Sequence, residues 1–446
     1  MSDQHIPLSL GTENIGILLK RYAVPAIIAM AASSLYNITD SVFIGHGVGS
    51  LALSGLAITF PLMNLAAAFG SLVGVGASTL LSIRIGQKDY NTANNILGNV
   101  LTLNLIMGFC FSIMILAFLD PILIFFGASQ GTLPYAHDFM FVILLGNVVT
   151  HLYFGLNALL RSAGFPQKAM TATIYTVLIN LVFNPLFIFG FKWGIQGSAF
   201  ATVISQVIVL IWQFHLLNNK NLFIHWKKGI YKLNKKIVSD SLSIGMAPFL
   251  MNAAACLIVI LINRQLIKHG GDLAVGAYGI VNRISFLFIM IVLGLNQGMQ
   301  PIAGYNYGAK LNNRVNEVLK MSIFYATLIM VVGFVIIELF PHGVASIFTT
   351  ENELIDLAVP GLRWVFLCYP LVGFQMVTSA FFQSIGRPQK SIILSLTRQV
   401  LFLIPIMLIL PKYLAIDGVW LSITISDFLS VILAVFLLWS EIKKMK

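Results

Sequence analysis

One carboxylate stands within a long apolar stretch near the N-terminus of this 446-residue chain: Asp40, in the run Tyr36-Asn37-Ile38-Thr39-Asp40. An ionisable side chain at membrane depth costs at least about 2.5 kcal/mol on insertion scales, so such groups usually face a protein interior and serve a function. On a helix, Tyr36 and Asp40 share a face, and so do Asn37 and Asp40. A carboxylate beside neutral oxygens suits a hard monovalent cation such as Na⁺, or takes up and releases a proton.

Three further polar residues lie in two later apolar stretches: Asn180, Asn184 and Thr202. At 1.5 Å per residue, Asp40 and Asn184 lie about 28 and 24 Å from the inner ends of their predicted helices, and Thr202 lies about 10 Å below an outer end. All three levels fall in the outer half of a membrane. We therefore predict a cation-coupling site of Asp40, Asn180, Asn184 and Thr202, beside a substrate cavity lined by Tyr36 and Asn37. The alternative is that the asparagines only bridge packed helices and Thr202 bonds its own backbone.

The second half of the chain has three charged residues inside apolar stretches: Arg283, Arg398 and Asp427. We expect all three to be buried. An ion pair between Arg398 and Asp427 would neutralise both charges, and a pair between Arg283 and Asp427 is the alternative. Contact with substrate is a further interpretation of these charges.

The elements that must position these residues are transmembrane helices. The chain is 58% hydrophobic and only 10% charged, whereas a soluble domain has about 25% charged residues. Its apolar runs are continuous and reach the roughly 20 residues of a spanning helix, without the alternation of a membrane β-barrel. The sequence predicts twelve spans, near 21–43, 51–83, 93–119, 134–161, 168–191, 195–217, 239–268, 272–302, 314–341, 357–385, 389–411 and 414–440.

The lysines and arginines follow the topology of these spans. They concentrate in the two termini and in the connections after helices 2, 4, 6, 8 and 10, as the sequence shows. Cytoplasmic connections are the ones enriched in these residues, so both termini are predicted to be cytoplasmic. The net charge of +11 is therefore explained by the lysines and arginines of the cytoplasmic connections. Nucleic acid is not an expected partner.

The two halves of the chain repeat at a nearly constant spacing. Gly86-Gln87-Lys88 recurs as Gly308-Ala309-Lys310 at an offset of 222 residues (308 − 86), and the Gly164–Lys168 connection recurs at 386–390 with the same offset (386 − 164). We predict an N-terminal six-helix lobe (1–217), a linker (218–238) and a C-terminal six-helix lobe (239–446). Because six is even, both lobes enter the membrane in the same direction and are related by a pseudo-two-fold axis along its normal. Transporters of this construction hold substrate between the repeats and rock one bundle against the other.

The predicted linker is basic, with six lysines and no carboxylate between residues 218 and 238. We expect a solvated cytoplasmic segment. The alternative is a binding site for anionic lipid or a regulator.

The repeat also separates the predicted ion site from the general architecture. At the offset of 222, Asp40 corresponds to Ile262 and Asn180 to Phe402, which are both apolar. A feature needed only for the fold would tend to appear in both halves. The asymmetry therefore favours an ion site in the N-terminal lobe alone.

The chain resembles the multidrug and toxic compound extrusion (MATE) transporters in Arg161-Ser162-Ala163-Gly164, in Gln300-Pro301 and in Gly304-Tyr305-Asn306-Tyr307-Gly308. The resemblance implies a V-shaped, two-lobed fold. It also implies export of amphipathic, often cationic compounds in exchange for Na⁺ or H⁺.

The resemblance extends to individual site residues. Asp40 matches the family's helix-1 aspartate implicated in ion coupling, Tyr36 matches a cavity tyrosine, and Asn180 and Thr202 match polar positions lining the N-lobe cavity of one prokaryotic branch. Asn184 departs from that branch, where a second Asp is often found, and this departure puts the binding of a second proton in doubt.

Two other functions are alternatives to export. A flippase for lipid-linked saccharides predicts a strongly cationic cavity and often fourteen spans. An intramembrane enzyme would need catalytic or metal-binding residues at one level, which the spacing does not supply, and no P-loop is present. The sequence therefore predicts a non-enzymatic, monomeric antiporter of the cell inner membrane, without a cofactor beyond its coupling ion.

Overall fold

The computed structural model describes residues 7–220 and 222–445. Eleven of its helices are long and apolar enough to cross a membrane, and a twelfth span is a bent pair of helices. In chain order the spans are α1 (Ile15–Gly47), α2 (Ser50–Gly86), α3 (Tyr90–Ala117), α4 (Leu133–Ser162), α5 (Pro166–Gly190), α6 (Gly194–Leu217), α7 (Lys235–Gly271), α8 (Leu273–Gly308), α9 (Asn312–Leu339), α10 (Asn352–Leu367 with Tyr369–Ser384), α11 (Pro388–Ile409) and α12 (Pro411–Met445). The predicted all-helical membrane fold is confirmed.

The break in α10 is the main departure from the predicted spans, because a single helix was expected over 357–385. The two parts of α10 meet at an angle of 52°. Pro370 lies in the first turn of the second part, and proline has no N–H to continue the hydrogen-bond ladder of a preceding helix. The sequence pattern showed that the apolar segment is long enough to span a membrane, but it did not reveal the bend.

Contacts between the two halves reproduce the internal repeat in space. A Cβ added to Gly76 of α2 would collide with Ser241 and Gly245 of α7, and one added to Gly298 of α8 would collide with Ala23 of α1. Gly76 and Gly298 are 222 residues apart (298 − 76), and so are Ala23 and Gly245 (245 − 23). The α2–α7 and α1–α8 contacts are therefore symmetry mates, as the pseudo-two-fold axis requires.

The lobes are in close contact at one end of the molecule. We call this the basic end; it contains the α2–α3, α4–α5, α8–α9 and α10–α11 connections. There, a Cβ on Gly86 would lie 2.0 Å from the carbonyl oxygen of Tyr305, and a Cβ on Gly308 would lie 2.1 Å from that of Ile83. Arg161 of α4 adds a hydrogen bond across the interface to Gln297 of α8. Backbones that are this close leave no passage, so the basic end is closed.

The connection between the lobes agrees with the predicted solvated linker only in part, because its six lysines are exposed but apolar residues between them are buried. Phe223 is 1% exposed and Ile224 is fully buried. Asn99 of α3 donates to the backbone oxygen of Lys232 at 3.2 Å and accepts from the backbone N–H of Asn234 at 2.8 Å. Backbone groups of the connection thus find partners on α3, so its backbone packs against the N-terminal lobe while its lysine side chains stay exposed. In addition, α7 begins at Lys235, inside the predicted linker range.

Candidate functional site

Asp40 lies on the inward face of α1 and is only 7% exposed. Its Oδ1 atom accepts a hydrogen bond from the side-chain amide of Asn184 in α5 and another from the hydroxyl of Ser198 in α6. Asn184 and Ser198 are both fully buried. Three helices of the N-terminal lobe therefore converge on one carboxylate.

A second group of polar side chains lies one helical turn away. The Tyr36 hydroxyl is 2.6 Å from Oγ1 of Thr202, and Asn180 donates its amide to the same oxygen at 3.4 Å. Thr202 donates its own proton to the backbone oxygen of Ser198 at 3.1 Å, so Tyr36 acts as the donor in its contact with Thr202. The two groups are joined through Ser198, and neither Asn180 nor Thr202 bonds directly to Asp40.

The local structure of α5 helps to place Asn184. Pro185 follows it directly, and the helix continues as a π-helical segment at Leu186–Gly190. Pro185 cannot supply a backbone donor to the preceding turn, and single π turns are frequent at functional sites. A Cβ on Gly47 would lie 2.3 Å from Ile188. The end of α1 therefore packs against this segment, which brings Asp40 and Asn184 together.

The cluster has the composition of a site for a small monovalent cation. It contains one carboxylate, and the remaining groups are neutral hydroxyl and amide oxygens. Oδ1 of Asn184 is buried and has no hydrogen-bond partner, so it is available as a ligand. No three His, Cys, Asp or Glu side chains come together anywhere in residues 7–220 and 222–445. The donor set is thus one acid with neutral oxygens, as hard cations prefer.

Sequence reasoning missed Ser198 and only partly located Asn37. Ser198 lies four residues before Thr202, so the helical periodicity would have placed both on one face of α6. Asn37 is exposed, and its amide bonds the backbone oxygen of Ser33 in its own helix at 3.1 Å. Asn37 therefore does not join the buried cluster, although it remains available to a ligand beside α1.

The C-terminal lobe contains the predicted ion pair between Arg398 and Asp427. Nε of Arg398 donates to Oδ1 of Asp427 at 2.7 Å, and the aspartate side chain is 3% exposed. The prediction that Arg283 is a third buried charge is wrong, because Arg283 is exposed on α8. No carboxylate in the described part of the chain lies within ion-pair distance of Arg283, so the alternative Arg283–Asp427 pair is wrong.

Comparison with known protein families shows to which family this chain belongs. The family model MatE matches residues 25–186 and, separately, residues 247–409. The two matches begin 222 residues apart (247 − 25), at the spacing of the internal repeat. The chain belongs to the MATE family of transporters. The multidrug export protein MepA of Staphylococcus haemolyticus is 26% identical to this MATE protein over 422 residues, covering 95% of this chain and 93% of MepA.

Solved structures of MATE transporters superimpose on almost the whole chain. A structure described as the outward-facing conformation of a multidrug resistance MATE transporter of the MOP superfamily matches with a TM-score of 0.93, at 26% identity and 98% coverage of both chains. The MATE multidrug transporter DinF-BH, whose structure was solved as a complex, matches with a TM-score of 0.89, at 36% identity and 96% coverage of both chains.

Proposed function

We propose that this MATE protein is a secondary active antiporter that exports amphipathic small molecules in exchange for Na⁺ or H⁺. The observation that carries the proposal is the buried Asp40, which α5 and α6 surround with Asn184 and Ser198. An unpaired carboxylate at this depth is stabilised when a cation or proton binds it. The similarity to multidrug exporters supports small-molecule substrates, and the resemblance to the family predicts that many of them are cationic.

Alternating access is the proposed mechanism. The closed basic end supports it, because close approach at one end allows the lobes to separate at the other. We propose that occupation of the Asp40 cluster alters the packing of α1 against α5 and α6. Since α1 also packs against α8 of the other lobe, such a change would be transmitted to the interface between the lobes.

We also propose that the basic end faces the cytoplasm, so that both termini are cytoplasmic. Connections rich in lysine and arginine remain on that side during insertion, and the MepA relatives are bacterial, which supports placement in the cell membrane. We propose that the transporter functions as a monomer, since each chain has its own pair of lobes. A flippase for lipid-linked saccharides is not favoured by the comparisons.

The proposal is tested with purified protein in liposomes loaded with a fluorescent amphipathic cation of the rhodamine class. Na⁺ and pH gradients are imposed separately, and substrate movement is recorded for the wild type, Asp40→Asn, Ser198→Ala and the control Asp356→Asn. Asp356 is an exposed acid on α10. One of the two gradients should drive transport, Asp40→Asn should abolish the response and Asp356→Asn should preserve it.

Loss of one hydrogen-bonding group beside a charge costs about 1.5–3 kcal/mol. Ser198→Ala should therefore change the half-saturating concentration of the coupling ion by about tenfold or more. Gradient-driven transport by Asp40→Asn at the wild-type rate would contradict the proposed site.

A further inference from the structure

The face of α8 that packs on α1 of the N-terminal lobe continues beyond the last glycine contact between these two helices. Gly294 is the last glycine of α8 in close contact with α1, where a Cβ would lie 2.7 Å from the Cα atom of Ile27. Arg283 lies eleven residues earlier (294 − 283), which is about three turns and returns to the same helical face. This face is open at that level, because Phe286 and Leu287 are 45% and 54% exposed. A Cβ on Gly279, one turn further, would meet nothing within 4 Å.

The opposing face of α1 opens at the same level. Helices α1 and α8 run antiparallel, with Ala23 beside Gly298 and Ile27 beside Gly294. Continuing this register by eleven residues places Ile38 opposite Arg283, about 16 Å from the last close contact. Ile38 is 59% exposed, and its neighbour Asn37 is exposed as well. The exposed faces of α1 and α8 therefore oppose each other across a cleft between these two helices, while α2 and α7 remain in contact through Pro61 and Cys256.

The charge on these walls is positive at this level. Arg283 has no partner carboxylate among the described side chains, whereas Arg398 is neutralised by Asp427 at 2.7 Å. The nearest acid along the opposing wall, Asp40, is turned away from the cleft toward Asn184 and Ser198. A guanidinium that is not paired within the protein keeps its five donors for a ligand.

We propose that Arg283 binds an anionic group, such as a carboxylate, sulfonate or phosphate, on an amphipathic substrate held in the cleft between α1 and α8. The apolar part of the substrate contacts Ile38, Phe286 and Leu287, and Asn37 offers a neutral hydrogen-bonding group opposite the arginine. Guanidinium groups pair with planar and tetrahedral oxyanions through parallel hydrogen bonds. The inference rests on the proposed transport function and narrows its amphipathic substrates to those that carry an anionic group, including zwitterions that also carry a cation.

The test measures binding with three probes that share one fluorophore and differ in charge. N-dansyl taurine is anionic, dansylamide is neutral and dansylcadaverine is cationic. Binding to the full chain in phosphatidylcholine nanodiscs is followed by energy transfer from its six tryptophans to the dansyl group. The variants are Arg283→Gln, which removes the charge, Arg283→Lys, which keeps it, and the control Arg264→Gln at an exposed position of α7.

The wild type should bind the anionic probe at least about tenfold more tightly than the cationic probe, a difference of about 1.4 kcal/mol. Arg283→Gln should lose this preference, Arg283→Lys should retain most of it and Arg264→Gln should leave it unchanged. Equal affinity for the three probes, a preference for the cation, or an unchanged preference in Arg283→Gln would overturn the inference. Because binding needs no gradient, retained binding of N-dansyl taurine without its transport under either the Na⁺ or the pH gradient would instead count against the proposed antiport.

A lipid headgroup has the same anionic chemistry as the proposed substrate. The binding assay is therefore repeated in nanodiscs that contain phosphatidylglycerol at increasing fractions. Retained binding of the anionic probe supports a small-molecule site. Displacement of this probe by phosphatidylglycerol, with the cationic probe unaffected, would show that Arg283 binds lipid and would overturn the substrate assignment.

Discussion

The close contact between Gly308 and Ile83 makes the closed basic end sensitive to a single methyl group. In Gly308→Ala the new Cβ would lie 2.1 Å from the carbonyl oxygen of Ile83, whereas carbon and oxygen atoms approach to about 3.3 Å. The backbones of α2 and α8 would have to separate by about 1.2 Å. Overpacking of this kind typically costs about 1–3 kcal/mol. The ratio of closed to open basic ends should therefore fall by about 5- to 150-fold.

Distances between spin labels on the two lobes measure this change. Cysteines replace the exposed residues Gln167 in the N-terminal lobe and Asn313 in the C-terminal lobe, after the three native cysteines have been removed. Pulsed electron–electron double resonance should show an additional population of molecules with a longer distance between the two labels in Gly308→Ala. The symmetry-related Gly86→Ala, with 2.0 Å to Tyr305, should produce the same shift.

The matched control is Gly279→Ala, which adds the same methyl group to the same helix where a Cβ meets no atom within 4 Å. It should leave the distance distribution unchanged. A distribution in Gly308→Ala and Gly86→Ala identical to that of the control, in folded protein, would refute the reasoning that glycine contacts hold the basic end closed.

Two further predictions concern stability. Asp427→Asn should lower the free energy of unfolding by about 3–5 kcal/mol, because it leaves the Arg398 guanidinium unpaired in the lobe interior. The double variant Arg398→Met/Asp427→Leu should recover much of that loss. Thermal unfolding in detergent measures both variants, and equal stability of the two would argue against a paired charge. Asn99→Ala should expose the connection between the lobes, since Asn99 forms hydrogen bonds with its backbone at Lys232 and Asn234. Trypsin should then cleave the connection faster in Asn99→Ala than in Asn91→Ala, a control at an exposed position. Identical cleavage rates in the two variants would show that other contacts hold the connection in place.

The predictability of the site differs from residue to residue. Asp40, Asn184 and Thr202 could be found because polar residues are rare in apolar helices and because residue number measures depth along a helix. Rotation about the helix axis is weakly encoded when lipid and protein interior are both apolar. Arg283 was therefore predicted to be buried, although it lies on an exposed face. The same ambiguity left open whether Arg283 or Arg398 pairs with Asp427.

The connection between the lobes shows a second limit. Its lysines predicted a solvated segment and are exposed, yet Phe223 and Ile224 between them are buried. The partners that make this burial favourable, including Asn94 and Asn99 of α3, lie more than a hundred residues away in the chain. Composition reports the average environment of a segment and cannot identify such distant hydrogen-bond acceptors and donors.

The membrane location, the number of spans, the internal repeat and the presence of one unusual acid follow from the order of residues alone, because hydropathy and spacing are properties of the chain read in order. Three features became visible only in the packed molecule: Ser198 completes the Asp40 cluster, α10 is broken, and the lobes close at the basic end. These features depend on the relative rotation and approach of helices. That geometry is set by contacts such as Gly308 on Ile83, which exist only once both lobes are packed.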